Sequence, residues 1–163
     1  ILAGALQDYG RAVLVGDSAT HGKGTVQSLI ELGPLMRRAI QFWTRPLPSQ
    51  PGALKLTVQK FYRASGSSTQ LNGVHPDIVL PSITDFPEFG EASLENPLPW
   101  DEISAAAYTP VASTGEVLPV LRTKSETRVT SDPEFAYIRN DITRRKKRRS
   151  SGSLSRSKVT GTT

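Results

Sequence analysis

The first apolar residues of the chain recur with helical spacing. They lie at positions i, i+3, i+4 and i+7: Leu2, Ala5, Leu6 and Tyr9. This spacing predicts the end of an amphipathic helix, which Gly10 terminates. The next run, residues 12–15 (Ala-Val-Leu-Val), is apolar at every position, which is typical of a parallel strand buried on both faces. A helix, a tight turn and a buried strand together predict half of an α/β unit.

Three more strands are predicted downstream. Residues 25–32 are β-branched and apolar enough for a strand. Residues 54–58 alternate between apolar and polar side chains, which predicts a half-buried antiparallel strand, and residues 74–81 hold a short final strand between two prolines. Turn-rich loops are expected at residues 44–53 and 64–73. We expect this α/β part to occupy residues 1–83.

The pattern changes after residue 83. Residues 84–113 look irregular, with Trp100 as an anchor onto neighbouring surface. A helix is predicted to start at Asp132, because Asp is a good N-cap and Pro and Glu suit the first turn. Its apolar face is formed by Phe135, Ile138 and Ile142. We therefore expect a mainly helical region at 84–143, followed by a basic, disordered tail at 144–163 that has no apolar periodicity.

The net charge of +5 comes from that tail. Residues 144–163 hold eight Lys and Arg and no acid, whereas the remaining chain has 12 basic and 15 acidic residues, a net of −3. A mildly acidic body argues against specific nucleic-acid binding. The tail either attracts anionic lipid or nucleic acid weakly and non-specifically, or is simply a solvated, solubilising segment.

Other functional classes are limited by what the sequence contains. It has no cysteine, which excludes a disulfide framework, a thiol nucleophile and a Cys-ligated zinc site. No apolar run reaches the length of a membrane span. The chain begins with Ile inside a predicted helix, and we interpret it as a fragment of a longer protein, so the lack of a signal peptide says nothing about that protein.

Lys23 is the main candidate for chemistry. It lies between two glycines in a polar loop at the carboxyl end of a predicted strand, where α/β sheets tend to place their sites. A lysine acts as a general base only when neutral near pH 7, which requires desolvation, and it can then take the proton of a serine hydroxyl. Gln27 shares a strand face with position 23 and could orient the amine.

Two other interpretations of this loop stay open. Lys23 could be a solvated surface lysine, and Gln27 an exposed strand residue. Alternatively, Gly16 to Lys23 could be a phosphate-binding loop, although the glycine spacing is too long, Gly24 replaces the Ser or Thr that binds magnesium, and a strand rather than a helix is predicted next. His21, His75 and three loop serines are read as structural residues: Ser18, Ser67 and Ser68.

Several segments, in order and spacing, resemble the C-terminal processing, or tail-specific, serine peptidases. These are residues 1–16, 22–27 (Gly-Lys-Gly-Thr-Val-Gln), 57–63, 68–70 with 73–78, 94–101 and 132–138. The resemblance implies the C-terminal portion of a crotonase/Clp-peptidase-like α/β core, followed by the helical C-terminal region of the longer bacterial members. It also implies a Ser-Lys dyad in which Lys23 is the base and Gln27 orients it, with the serine just before Ile1 and therefore missing here.

The resemblance further implies an endopeptidase that cleaves proteins recognised by apolar C-terminal tails. No metal or cofactor is expected, and the parent protein would be periplasmic or associated with the cell envelope, with an envelope adaptor protein as a candidate partner. This fragment alone would be inactive because it lacks the serine. The alternative is a non-catalytic binding or scaffold remnant of the same fold.

Overall fold

The structure is a computed structural model that describes residues 1–39, 51–86 and 88–159. Within these residues the elements follow in this order: α1 (Leu2–Asp8), β1 (Val15–Gly16), β2 (Thr25–Glu31), α2 (Leu32–Ala39), β3 (Ala53–Lys60), β4 (Ile78–Val79), a 3₁₀ turn (Glu91–Ser93), α3 (Leu118–Ser131) and α4 (Pro133–Val159). Most of the loop predicted at 44–53 lies outside the described residues.

The described strands pair in two ribbons. β1 and β4 are parallel, with Val15 beside Ile78 and Gly16 beside Val79. β2 and β3 are antiparallel over their whole length, with one irregularity in register between Val26 and Gln27. The predicted strands at 25–32 and 54–58 are therefore confirmed, as is the antiparallel pairing. The mixture of helices with parallel and antiparallel strands agrees with an α/β class.

Two predictions about burial are wrong. The first strand was expected to be buried on both faces, yet Val15 is 54% exposed. The strand at 54–58 was expected to have one buried face, yet all its residues are exposed. This includes the apolar side chains expected on the buried face: Leu54, Leu56 and Val58. Alternation identifies the face of a strand that should be covered, but a second layer must supply the cover. The described residues leave these faces uncovered.

The end of α1 matches its prediction. Gly10 N–H donates to Gln7 O at 3.0 Å and Arg11 N–H donates to Leu6 O at 2.8 Å, which is the Schellman arrangement. Gly10 adopts φ +62°, a left-handed conformation that is costly for any residue with a Cβ. A Cβ there would also lie 1.9 Å from Ala112 O. The glycine thus ends the helix and lets the later chain pass close to it.

The irregular region beyond residue 84 docks onto the loop that follows β3. Trp100 Nε1 donates to Ser68 O at 2.9 Å, which confirms the predicted anchor. Ser68 N–H donates to Asp101 O at 3.1 Å, and Lys60 Nζ lies 3.0 Å from Asp101 Oδ1. The chain therefore lies alongside residues 66–68 in a strand-like contact.

Helix α3 lies within the region 84–143 that was expected to be mainly helical, but its bounds were not predicted from the sequence. Its side chains are mostly exposed, and it contains several Thr and Val residues, which are weaker helix formers. Arg122 Nε donates to Asp77 O at 3.0 Å, which ties α3 to the segment before β4. The helix is thus held by a tertiary contact and carries little periodic signal of its own.

Helix α4 starts as predicted and ends later than predicted. Asp132 Oδ1 caps it by accepting from Glu134 N–H at 2.9 Å. The helix continues to Val159, so the disorder predicted from residue 144 is not seen over 144–159. Arg and Lys are good helix formers, and Arg149 pairs with Glu88 and lies over the Phe86 ring. A basic run without apolar periodicity can therefore extend a helix that has already been nucleated.

Replacing Gly10 by alanine in the complete protein should destabilise it by roughly 2–4 kcal/mol, because left-handed strain and a backbone clash add together. Denaturant unfolding measures this. The matched control is Gly52→Ala, since Gly52 has φ +84° but no described residue within 4 Å of its Cβ position. Equal losses in the two variants would contradict the close approach of Ala112.

Asp101 should contribute an acid-sensitive part of the stability. The amine of Lys60, and then the Tyr62 hydroxyl, lower the pKa of Asp101 below its ordinary 3.8. The stabilisation is therefore complete above that ordinary value and is lost as the pH falls through the folded-state pKa. Asp101→Asn should make stability fall less steeply with acid, measured by urea unfolding between pH 2 and 6. A profile no different from that of Glu102→Gln would contradict this.

Candidate active site

The backbone around Lys23 is fixed on both sides by the segment 69–71. Leu71 N–H donates to Gly22 O at 2.7 Å, and the Thr69 hydroxyl donates to Lys23 O at 3.0 Å. Gly24 N–H donates to Gln70 Oε1 at 2.8 Å. The three residues of the Gly-Lys-Gly sequence therefore each have a hydrogen bond to this segment, so the position of the lysine backbone is well defined.

The glycines on either side of Lys23 are required by close packing. A Cβ on Gly22 would lie 2.7 Å from Leu71 O, and φ there is +85°. A Cβ on Gly24 would lie 2.7 Å from Gln70 N. Only glycine at these two positions lets the two segments approach this closely.

The Lys23 side chain bonds to the strand that follows it. Lys23 Nζ donates to Thr25 Oγ1 at 3.0 Å, and Thr25 is buried, with 6% exposure. The Lys23 and Gln27 side chains are both exposed, and no hydrogen bond joins these two described residues. β2 begins only at Thr25, so the two-residue periodicity that placed Lys23 and Gln27 on one face does not extend back to the lysine. The catalytic roles of both residues stay predictions.

Gln70 is the most buried side chain described, with 0% exposure. Besides accepting from Gly24, it donates from Nε2 to Glu91 Oε1 at 3.3 Å. Glu91, in the 3₁₀ turn, is also buried, and its N–H donates to His21 O at 2.8 Å. A continuous polar chain thus runs from the lysine loop through Gln70 to Glu91 and back to the loop.

The two histidines and three serines flagged in the sequence have local partners. His21 Nε2 lies 3.6 Å from Glu91 Oε2, and His75 Nδ1 lies 2.9 Å from Ser18 O. The Ser18 hydroxyl donates to Asp85, the Ser68 hydroxyl accepts from Gln70 N–H at 3.0 Å, and the Ser67 hydroxyl faces that of Ser65. These contacts agree with structural roles for all five residues.

Helix α1 is tied to the same region by side chains on its last turn. Asp8 pairs with Arg63, and Gln7 Oε1 accepts from Arg63 at 2.9 Å. Gln7 Nε2 donates to Asp77 Oδ1 at 3.2 Å, and Asp77 Oδ2 accepts from Leu14 N–H at 2.8 Å. The end of α1, the residue before β1 and the segment before β4 are therefore held together by one network.

Other kinds of site fit less well. Lys23 is followed by strand β2 rather than by a helix, and the Gly24 N–H that a phosphate would need is already bonded to Gln70. A phosphate-binding loop is therefore excluded. The described residues contain no cluster of three His, Asp or Glu side chains suited to a metal ion. The helices seen in this part of the chain are also too short or too polar to cross a membrane.

Comparison with known proteins accounts for most of the chain. Residues 1–80 match the model of Peptidase family S41, and residues 84–157 match that of the C-terminal domain of tail specific protease. Over 152 residues the chain is 39% identical to the tail-specific protease of Haemophilus influenzae, covering 91% of this chain and 21% of that relative. The chain belongs to the tail-specific, carboxy-terminal-processing peptidase family. This confirms the resemblance inferred from the sequence.

Other relatives match about half of this chain. The carboxy-terminal-processing protease of Bartonella bacilliformis is 41% identical over 80 residues, which is 49% of this chain and 14% of the relative. The carboxyl-terminal-processing protease of Picosynechococcus sp. is 41% identical over 81 residues, which is 50% of this chain and 16% of the relative. The chain thus spans about a fifth or less of these family members.

Three residues of the site were missed by sequence reasoning: Thr25, Gln70 and Glu91. Thr25 could have been found, because its hydroxyl lies two residues from Lys23. Gln70 and Glu91 gave no signal, since a polar residue in a turn-rich loop is normally solvated. Their burial depends on segments that lie far from the lysine in sequence.

Replacing Gly24 by alanine should destabilise the complete protein by roughly 1–3 kcal/mol, because the new methyl group would overlap Gln70. Gly33→Ala is the control, since its Cβ would meet neighbours only at 3.7 Å, in ordinary contact. The denaturant midpoints of the two variants measure this difference in stability. Equal midpoints would contradict the close packing of Gln70 against the lysine loop.

Proposed function

We propose that this chain supplies the general base, Lys23, of a serine-type endopeptidase that uses a Ser-Lys dyad. The observation that carries the proposal is the Gly-Lys-Gly backbone, which is hydrogen-bonded on both sides while the Lys23 residue as a whole remains exposed. Membership of a peptidase family supports it. Since the chain spans 21% of the tail-specific relative, the serine and the oxyanion-hole donors would come from the rest of the protein.

The chemistry is proton transfer through one nitrogen. A neutral lysine amine takes the proton of the serine hydroxyl as the oxygen attacks the substrate carbonyl, and the same amine then protonates the leaving nitrogen. The hydrogen bond from Lys23 Nζ to Thr25 Oγ1 uses one N–H of the amine. That bond limits rotation about Cε–Nζ and would leave the lone pair free to face the serine.

The exposure of Lys23 bears on where the site is completed. A lysine amine is neutral near pH 7 only when it is removed from water. Lys23 is exposed among the described residues. The β2–β3 ribbon, whose first strand begins at Thr25, also has several exposed apolar side chains: Val26, Leu29, Leu56 and Val58. We propose that the rest of the protein covers this surface and desolvates the amine. Gln27 would then orient the amine in the assembled site.

The expectations about the core type, the substrate class, the location and the partners are also part of this proposal. The assembled core would be of the crotonase/Clp-peptidase type, acting on proteins recognised by apolar C-terminal tails, in the periplasm or at the cell envelope. An envelope adaptor protein and weak anionic-lipid contact through the basic end of α4 are proposed partners. One relative is named a tail-specific protease and another a carboxy-terminal-processing protease, and these names support action at carboxyl-terminal tails.

Lys23→Ala in the complete protease should lower kcat/KM by about 10²–10⁴-fold, the contribution typical of a general base. The fold should survive, because Lys23 contributes only its backbone to the packing around Gln70. Cleavage of a protein with an apolar C-terminal tail measures the effect. Lys55→Ala is the matched control, since Lys55 is an exposed lysine on β3.

Wild-type turnover by Lys23→Ala would remove the base assignment. The non-catalytic alternative, a binding or scaffold piece of the protease fold, makes a different prediction: the wild-type protein itself should bind peptide without hydrolysing it.

A further inference from the structure

We propose that Glu91 is a positioning residue for the catalytic lysine, acting through the side-chain amide of Gln70. The inference deepens the proposed function and rests on it. It assigns a role in the peptidase site to a carboxylate that the sequence did not single out. It also links the C-terminal region to the reaction.

The first step is the orientation of the Gln70 amide. Gln70 is fully buried, so each end of its amide must find a partner within the protein. Its Oε1 accepts from Gly24 N–H at 2.8 Å, and this bond requires the oxygen to face the lysine loop. An amide turned by 180° would present an N–H to the N–H of Gly24, leaving both donors unsatisfied.

The second step is the role of the carboxylate. Glu91 Oε1 lies 3.3 Å from Gln70 Nε2, on the side opposite Gly24. An ionised carboxylate only accepts hydrogen bonds, so it favours the orientation that turns the amide nitrogen towards it. Glu91 therefore selects the orientation in which Gln70 Oε1 holds Gly24. An alanine at position 91 would remove this selection.

The third step is that Glu91 holds the loop at two points. Its own N–H donates to His21 O at 2.8 Å, two residues before Lys23, and its carboxylate reaches Gly24 through Gln70, one residue after Lys23. The lysine backbone is thus fixed between two contacts that both depend on the 3₁₀ turn. Small displacements of a catalytic group are costly, because proton transfer needs its donor and acceptor in contact.

Glu91 belongs to a different region of the chain from the residues that it contacts. Glu91 lies in the part matched by the C-terminal domain of tail specific protease, whereas His21, Gly24 and Gln70 lie in the part matched by Peptidase family S41. The C-terminal region is therefore built into the support of the lysine loop through one buried carboxylate. Perturbing that region should alter the chemical step.

The test uses the complete protease and separates kcat from KM. Glu91→Ala should lower kcat by about 10–100-fold with KM within twofold, since a displaced base affects the chemical step more than substrate binding. Glu95→Ala is the matched control, because Glu95 is an exposed carboxylate on the same segment, and it should keep wild-type kcat.

An exchange of the two side chains tests the hydrogen-bond chain itself. Gln70→Glu alone places two carboxylates against each other in a buried site and should lower kcat at least as much as Glu91→Ala. The double variant Gln70→Glu/Glu91→Gln restores an acceptor for Gly24 N–H and a donor between the two side chains. It should recover kcat to within about threefold of wild type, because the same hydrogen bonds can form.

Hydrogen exchange gives a readout that does not depend on activity. The Gly24 amide should exchange at least about tenfold faster in Glu91→Ala than in the wild type or Glu95→Ala, because its acceptor is no longer held in place. Mass spectrometry of a peptide that covers residues 22–27 measures this.

The outcomes separate this proposal from the one on which it rests. An active Lys23→Ala variant would remove the base assignment and with it the positioning role of Glu91. Hydrogen exchange of the Gly24 amide would then test only whether Glu91 holds the lysine loop in place. An inactive Lys23→Ala variant together with wild-type kcat in Glu91→Ala would overturn the positioning role. Failure of the double variant to recover kcat would overturn the positioning role as well. This result is decisive even if Glu91→Ala does not fold.

Discussion

The hydrogen bond from Gly24 N–H to the buried amide of Gln70 is the contact on which the candidate site depends. A polar side chain with no exposure is costly unless both ends of its amide are bonded, so its partners are fixed together with it. Those partners are the loop that carries Lys23 and the 3₁₀ turn that carries Glu91. The most buried side chain of the described residues is therefore polar, and it lies against the backbone of the lysine loop.

The C-terminal region is attached to the peptidase region by specific polar contacts. Trp100 and Asp101 bond to the backbone of Ser68, Glu91 bonds to His21, and Arg122 bonds to Asp77 O. Directional contacts of this kind fix position even where little apolar surface is buried. They explain how the C-terminal region keeps a defined position relative to the lysine loop although its helices are mostly exposed.

The exposed apolar side chains of β1 and of the β2–β3 ribbon have a different meaning. Val15 and Leu29 are more than half exposed, although their positions read as strand interiors. Apolar surface of this extent usually marks an interface. Together with the short share of each relative that the chain covers, it agrees with a peptidase core completed by other parts of the protein.

The sequence by itself determined the family, the first helix with its glycine cap, the strands β2 and β3, the Trp100 anchor and the N-cap at Asp132. These features depend on local spacing and on motifs in a fixed order, which a linear pattern records. Only the tertiary structure placed Gln70 and Glu91 beside the lysine loop, revealed α3 and extended α4 beyond residue 144. Contacts between residues 46 and 21 positions apart create that burial, and no local pattern encodes them.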